Sequence, residues 1–141
     1  MQTINNQMIE TIRQMYDMEA FSPLMEFCQG EMRTLNYLLT NRNVKTLPSN
    51  ISSTLNVSRS RTTATLTSLR RKGYINMEIL PSDRRCLVIS LTKEGTDYII
   101  EKLKQAENYI GLVVTNLGQE NAIKLIDLLK LIVDITKRNE A

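Results

Sequence analysis

The 141-residue sequence contains neither histidine nor tryptophan, and it has only two cysteines, five glycines and three prolines. Without histidine there is no Ser-His-Asp or Cys-His nucleophile pair, no HExxH zinc site and no histidine general base. Cys28 and Cys86 are too far apart for a zinc knuckle or a CxxC redox pair, and too few for a disulfide scaffold. The composition therefore argues against an enzyme, a metal site and a cofactor, although catalysis by paired carboxylates or a lysine stays open.

Long apolar runs are also missing from the sequence. No stretch reaches the roughly 20 residues that span a bilayer, and no N-terminal segment has the pattern of a secretory signal. Apolar residues make up 42% of the chain and charged residues 23%, as in ordinary globular proteins. We expect a cytoplasmic protein with one domain over residues 1–141 and no membrane partner.

Charge is distributed unevenly, although the net charge is only +3. Residues 42–85 contain nine basic and two acidic residues, so this segment carries +7 and the rest of the chain −4. A basic middle between acidic ends indicates an anionic partner on one face, with nucleic acid as the leading candidate. A solvated surface that is rich in arginine is the alternative.

Apolar residues at spacings of three and four predict the helices. A first helix covers about residues 2–21 and ends at or before Ser22-Pro23, and a second runs from about Gln29 to Thr40. Pro48-Ser49 opens a short helix that ends at Asn56, a residue that tolerates left-handed backbone. Ser58 then caps a helix that runs to Gly73.

After Gly73 the apolar period changes to two, which predicts a β-hairpin around a turn at Pro81-Ser82-Asp83. Two further helices follow, the first from Thr92 to Gly118 and the second from Gln119 to about Arg138. In the last helix ten of the fourteen residues 122–135 are apolar, so it must be buried on several sides. A second subunit would cover it; a monomeric bundle core is the alternative.

The order of these elements predicts a mainly α fold with a small β-hairpin wing (α+β). It is a winged helix-turn-helix over about residues 30–92, with dimerisation helices over about 2–21 and 93–138. In the helix after Ser58, Thr62, Leu66 and Leu69 fall on the core side. The opposite face offers hydroxyls, methyls and guanidinium groups suited to base edges and phosphates. Its residues are Arg59, Ser60, Thr63, Ala64, Thr67 and Arg71.

The hairpin tip carries Asp83, Arg84 and Arg85. Arginine on such a protrusion favours the electronegative minor groove. Asp83 can hold a neighbouring arginine in a fixed orientation through a charge-assisted hydrogen bond. The tip is thus a second candidate contact with double-stranded DNA.

The run from Asp83 to Gly95 resembles the D-x-R wing and the following L-T-x-x-G motif of the MarR family of transcription regulators. The stretches Val57-Ser58-Arg59-Ser60 and Leu69 to Ile75 are similar to that family's recognition helix and its L-x-x-x-G exit. The resemblance covers nearly the whole chain. It implies a homodimer joined through N- and C-terminal helices, a pseudo-palindromic operator and no catalysis.

By the same resemblance, Arg85 is the minor-groove arginine oriented by Asp83, and four recognition-helix residues contact bases. These four are Ser60, Arg61, Thr63 and Ala64. Family members often have an arginine where this chain has Ala64, so Arg59 or Arg61 would have to replace that contact. Asn56 stands where a turn glycine is common.

Such regulators are released from DNA by a small molecule, a metal or thiol oxidation. Without histidine, a small organic effector is favoured over a metal. Cys86 is a candidate redox residue because the adjacent Arg85 favours a thiolate, whereas an inert strand residue is the more ordinary alternative. Cys28 is expected to be buried. Six of the seven methionines lie at or before Met32, where they would line a ligand pocket or fill the core.

The sequence therefore predicts a sequence-specific DNA-binding regulator, a repressor that acts as a homodimer and is not an enzyme. A winged-helix module that binds an acidic protein partner is the alternative.

Overall fold

The computed structural model describes residues 2–140, apart from the side chain of Gln2. They form seven α-helices, one 3-10 helix and two strands. In chain order these are α1 (Gln2–Asp17), the 3-10 helix (Glu19–Phe21), α2 (Ser22–Cys28), α3 (Gly30–Thr40), α4 (Pro48–Leu55), α5 (Arg59–Arg71), β1 (Ile75–Leu80), β2 (Asp83–Leu91), α6 (Lys93–Leu117) and α7 (Gln119–Glu140). The predicted fold class, mainly helical with a β-hairpin wing, is confirmed.

The chain divides into two compact units, residues 1–106 and 107–141. The first unit holds an apolar core to which α3, α4, α5, the hairpin and α6 each contribute. Its buried members are Leu35, Leu38, Ile51, Leu66, Leu69, Ile75, Ile89 and Ile99. Burial of these side chains removes apolar surface from water, which is the main force holding the helices and the hairpin together.

The hairpin is a two-stranded antiparallel sheet in which Ile75 pairs with Leu91 and Met77 with Ile89. The register is irregular between Ile79 and Leu80, just before the tip. The backbone N–H of Ile89 also donates to the carbonyl oxygen of Thr46 at 2.9 Å, so the segment before α4 pairs with β2. The base of the wing is thereby joined to the loop that leads into α4.

Three local expectations were wrong. The first helix, expected over about residues 2–21, already ends at Asp17, and Ser22-Pro23 opens a separate helix, α2, which the sequence did not predict. A proline is tolerated there because N–H groups in the first turn of a helix have no partner within it. Asp83 belongs to β2, which leaves Pro81 and Ser82 as the turn. Cys28, expected to be buried, is exposed at the end of α2.

Large apolar side chains of α1 and α7 remain exposed within the single chain. On α1, Ile4, Met8 and Ile12 share one face and are 57–64% exposed. In the second unit, the apolar residues of α7 from Ile123 to Ile135 are 42–59% exposed. None of the helices within residues 2–140 is long and apolar enough to cross a membrane.

Candidate nucleic-acid interface

A tight turn joins α4 to α5 and makes the pair a helix-turn-helix. Asn56 ends α4 in the left-handed conformation, with φ 53° and ψ 50°, as its tolerance of that region predicts. The hydroxyl oxygen of Ser58 accepts a hydrogen bond from the Arg61 backbone N–H at 3.2 Å and so caps α5. At the other end, Gly73 has a φ of 79° and ends the helix.

The two faces of α5 differ as predicted. Thr62, Leu66 and Leu69 are buried, with at most 3% exposure. Every recognition-helix residue singled out from the sequence is exposed: Arg59, Ser60, Arg61, Thr63, Ala64, Thr67 and Arg71. The helix contains no acidic residue. It therefore offers a polar, cationic and accessible surface of the kind that enters a major groove.

Two threonine hydroxyls on this face donate to the helix's own backbone. Thr63 Oγ1 donates to the carbonyl oxygen of Arg59 at 2.9 Å, and Thr67 Oγ1 to that of Thr63 at 2.8 Å. A threonine hydroxyl whose proton is engaged this way still accepts hydrogen bonds. In this arrangement Thr63 and Thr67 can accept from amino groups of bases, and their methyl groups can meet thymine methyls.

A contact between α3 and α5, not predicted from the sequence, fixes the position of the recognition helix. The Glu31 carboxylate accepts hydrogen bonds from Ser68 Oγ at 2.5 Å and from Lys72 Nζ at 2.6 Å. Partial burial acts to raise the pKa of Glu31, but these hydrogen bonds and the charge of Lys72 outweigh it and lower the pKa. Lys72 is thus engaged in an ion pair with Glu31 of α3.

At the wing, Asp83 organises the backbone and does not hold a guanidinium group. Its Oδ1 accepts from the Arg85 backbone N–H at 3.0 Å, and its Oδ2 accepts from Cys86 Sγ at 3.4 Å. Within residues 2–140, no ion pair joins Asp83 to Arg84 or Arg85. The prediction that Asp83 forms a charge-assisted hydrogen bond with an arginine side chain was therefore wrong. Asp83 shapes the strand entry, and both arginine side chains are exposed.

The recognition helix and the wing face a common cavity of about 400 Å³. Arg59, Thr62 and Thr63 of α5 line it on one side, and Arg85 and Cys86 of β2 on the other. Arg59 and Arg85, from different elements, therefore line one concave surface. Together they make the electrostatic potential there more positive, and more attractive to an anion, than either arginine would alone. Cys86, which lies in this cavity, is half-buried.

The L-T-x-x-G segment, Leu91 to Gly95, joins the start of the hairpin to the start of α6. Thr92 donates from its hydroxyl to the carbonyl oxygen of Gly73 at 2.6 Å and from its backbone N–H to that of Tyr74 at 3.1 Å. The same hydroxyl accepts from the Gly95 N–H at 3.0 Å, which caps α6. A Cβ on Gly95 would lie only 1.9 Å from the Tyr74 carbonyl oxygen, so this position requires glycine.

Neither a metal site nor a methionine-lined pocket emerges from the described residues. No group of three or more Cys, Asp and Glu residues in residues 2–140 could hold a metal ion. Of the methionines before residue 33, Met8, Met15 and Met18 are exposed. Met32 lines an open cleft of about 870 Å³ together with charged residues and Tyr98. The cleft is therefore mostly charged, and it is not the methionine-lined pocket that the sequence allowed as an alternative to core filling.

No protein-family model matches the sequence, and no curated protein is significantly similar to it. Solved structures are similar over nearly the whole chain. The transcriptional regulator Tm0710 from Thermotoga maritima is 26% identical, with 97% of this chain and 96% of that one covered and a TM-score of 0.55. The YusO protein from Bacillus subtilis is 18% identical, with 94% of each chain covered and a TM-score of 0.72. The transcriptional repressor CouR, solved bound to a 23-mer DNA duplex, is 20% identical, with 90% and 89% covered and a TM-score of 0.66.

These likenesses define the structural class. The chain is a winged helix-turn-helix protein, with α5 as the second helix of the motif and the β1–β2 hairpin as the wing. Its fold is that of the MarR-type regulators, so the resemblance predicted from the wing and the L-T-x-x-G segment is confirmed.

Proposed function

We propose that this protein is a transcription regulator that binds double-stranded DNA, a repressor that acts as a homodimer in the cytoplasm. The observation that carries the proposal is the exposed face of α5, which has four arginines in the helix and no acidic residue. Arg85 of the wing faces the same cavity as Arg59 of that helix. The structural neighbours include a repressor solved on DNA, which supports the same conclusion.

In this proposal α5 enters the major groove and the wing reaches the adjacent minor groove. Ser60, Arg61, Thr63, Ala64 and Thr67 face the base edges, because they lie on the exposed side of the helix or at its N-terminal end. Arg84 and Arg85 enter the minor groove, and Asp83 holds the backbone at Arg85. The remaining arginines of the face, Arg59 and Arg71, contact phosphates, which position the protein without reading the sequence.

The homodimer is supported by the apolar surface that each chain leaves exposed. A helix that is apolar over most of its circumference, such as α7, is unfavourable in water until another surface covers it. A two-fold dimer would present two copies of α5 to half-sites about 10 base pairs apart, so the operator would be pseudo-palindromic.

We further propose that a small organic molecule releases the repressor. The absence of histidine and of a metal-ligand cluster in residues 2–140 leaves little basis for a metal effector. The open cleft beside Met32 provides volume for a ligand within the first unit.

The DNA-binding proposal is tested by replacing Arg85 with alanine. Binding to the DNA upstream of the protein's own gene is measured by gel shift at several salt concentrations. A lost minor-groove arginine should weaken binding by roughly 10- to 100-fold and reduce the slope of log affinity against log salt by about one. Lys104→Ala is the matched control, because it removes one exposed positive charge from α6 and should leave the slope unchanged.

Two outcomes would count against the proposal. An unaltered salt slope in Arg85→Ala would remove the wing from the interface. A complete lack of sequence-specific complexes, in the gel shift and in selection from random duplexes, would favour the alternative, a module that binds an acidic protein.

The dimer is tested with the double variant Leu128→Lys/Leu131→Lys. Both leucines are more than half exposed on α7 and lie three residues apart. Two charges in a packed apolar interface are costly, so the variant should sediment as a folded monomer where the wild type is a dimer. Lys130→Gln, on the polar stripe of the same helix, should stay dimeric. A wild type that is monomeric at micromolar concentration would refute the dimer.

A further inference from the structure

The arginines of α5 lie at its two ends, and the middle of the helix carries no charged side chain. Arg59 and Arg61 are in the first turn, and Arg70 and Arg71 are in the last. The segment between Arg61 and Arg70 spans about 13 Å of helix and consists of threonine, alanine, serine and leucine. The long side chains that pair with guanine or adenine are therefore absent from the centre of the exposed face.

Thr63, Ala64 and Thr67 form the centre of that face, and all three are exposed. Residues three and four positions apart are neighbours on a helix surface, so Thr67 lies beside both of the others. The three side chains therefore make one continuous surface, which we call the methyl patch.

Neither threonine of the methyl patch has a free O–H donor. Thr63 Oγ1 donates its proton to the carbonyl oxygen of Arg59 at 2.9 Å, and Thr67 Oγ1 donates to that of Thr63 at 2.8 Å. The major-groove acceptors of guanine, adenine and thymine need a donor, so the methyl patch cannot bond to them. The hydroxyl oxygens keep only their acceptor function. The rest of the patch is three methyl groups, the Cγ2 of each threonine and the Cβ of Ala64.

We infer that the methyl patch recognises the C5 methyl group of thymine, so that each half-site of the operator carries thymine at the base pair facing the centre of α5. Thymine is the only one of the four bases that presents a methyl group in the major groove. Contact between this group and the patch removes apolar surface of both partners from water. The inference rests on the proposed function, because it requires α5 to enter the major groove.

The arginines and the methyl patch then have different roles. Arg59 and Arg71 hold the two ends of α5 against phosphates, which positions the helix without reading the sequence. Arg61 lies in the first turn, so any guanine contact that it makes is at the N-terminal end of the helix. The centre of the half-site is read by contact between methyl groups, which distinguishes thymine from cytosine.

The test uses the full-length protein and a duplex selected from random DNA by its binding. Each thymine of one half-site is replaced in turn by deoxyuridine, which lacks only the C5 methyl group. Loss of the buried methyl group should weaken binding by about fourfold at one or two positions. A cytosine placed at the same position should bind as weakly as deoxyuridine or more weakly. Its replacement by 5-methylcytosine should recover about fourfold, because the methyl group returns without the A·T pair.

Thr63→Ser and Thr67→Ser identify the side chains that make the contact. Each serine keeps a hydroxyl but lacks the methyl group, so thymine and deoxyuridine should bind equally well at the position that it faces. Thr67→Val keeps a methyl group there and should keep the preference for thymine. Thr115→Ser is the matched control, because Thr115 Oγ1 makes the same kind of bond on α6, to the carbonyl oxygen of Gly111 at 2.8 Å. Circular dichroism confirms that each variant is folded.

Three results would overturn the inference. Equal affinity for thymine and deoxyuridine at every position of a specific site would show that no methyl group is read, and would leave the proposed function intact. An undiminished preference for thymine in both serine variants would place the contact outside the methyl patch. If no duplex forms a sequence-specific complex, the proposed function fails, and the methyl patch has no base to read.

Discussion

Replacing Gly95 with alanine should destabilise the fold strongly, although alanine is the better helix former. The new Cβ would lie 1.9 Å from the carbonyl oxygen and 2.7 Å from the carbonyl carbon of Tyr74. Both atoms belong to backbone, so no side chain can rotate away. To reach an ordinary contact distance of 3.4 Å, the start of α6 and the start of the hairpin must separate by about 1.5 Å.

The magnitude follows from what such a separation disrupts. The bonds from Thr92 to the carbonyl oxygens of Gly73 and Tyr74 would be broken or lengthened, at about 1 kcal/mol each. Overpacking costs about 1–3 kcal/mol more. The helix propensity of alanine returns about 1 kcal/mol. The net loss in the free energy of unfolding is therefore about 2–4 kcal/mol.

The assay is urea unfolding followed by circular dichroism, at one protein concentration because the stability of the proposed dimer would depend on that concentration. Gly111→Ala is the matched control in the same helix. Nothing lies within 4 Å of its added Cβ, so it should be neutral or stabilising by up to about 1 kcal/mol. Equal stability of Gly95→Ala and Gly111→Ala would refute the importance of the close backbone contact between the start of α6 and the start of the hairpin.

Two further predictions concern the elements that hold α5 in place. Asn56→Ala should lower the free energy of unfolding by about 1 kcal/mol, because its φ of 53° suits Asn or Gly, whereas Asn56→Gly should stay within about 0.5 kcal/mol of the wild type. Equal urea midpoints for the two variants would contradict this. The pKa of Glu31 is lowered from its usual 4.5, so its contribution is present at neutral pH and is lost as the pH falls through the lowered pKa. Glu31→Gln should therefore lose less stability than the wild type between about pH 5 and 3; parallel pH profiles would exclude the Glu31–Lys72 contact as a source of stability.

Periodic features of the sequence predicted periodic features of the fold. The buried and exposed faces of α5 follow from residue spacing alone, because Leu66 and Leu69 fix which side meets the core. The change from a period near 3.6 to a period of two after Gly73 located the hairpin in the same way. In both cases the spacing of apolar residues follows the repeat of the backbone, because the side chains that face the core must be apolar.

Features that depend on single contacts were not predictable. The helix Ser22–Cys28 has seven residues, too few to show a period, and Pro23 at its start resembled a stop. The bond from Lys72 to Glu31 joins residues 41 positions apart, and no local pattern indicates such a pair. The sequence correctly paired Asp83 with a neighbouring arginine, but the donor is the backbone N–H of Arg85 and not a guanidinium group. The order of residues cannot distinguish these two donors.

The way α5 is stabilised explains how its exposed face can be specialised. Four threonines between Thr62 and Thr67 lower its intrinsic helix propensity. The Ser58 cap stabilises the N-terminal end of the helix. The buried leucines anchor its inner face to the core, and the Glu31 contacts hold its C-terminal end. None of these stabilising contacts uses a side chain that points toward DNA in the proposed complex. Residues such as Ala64 and Arg61 can therefore differ among proteins of this fold without loss of the helix. In the proposed complex, the operator would have to be inferred from this protein's own α5.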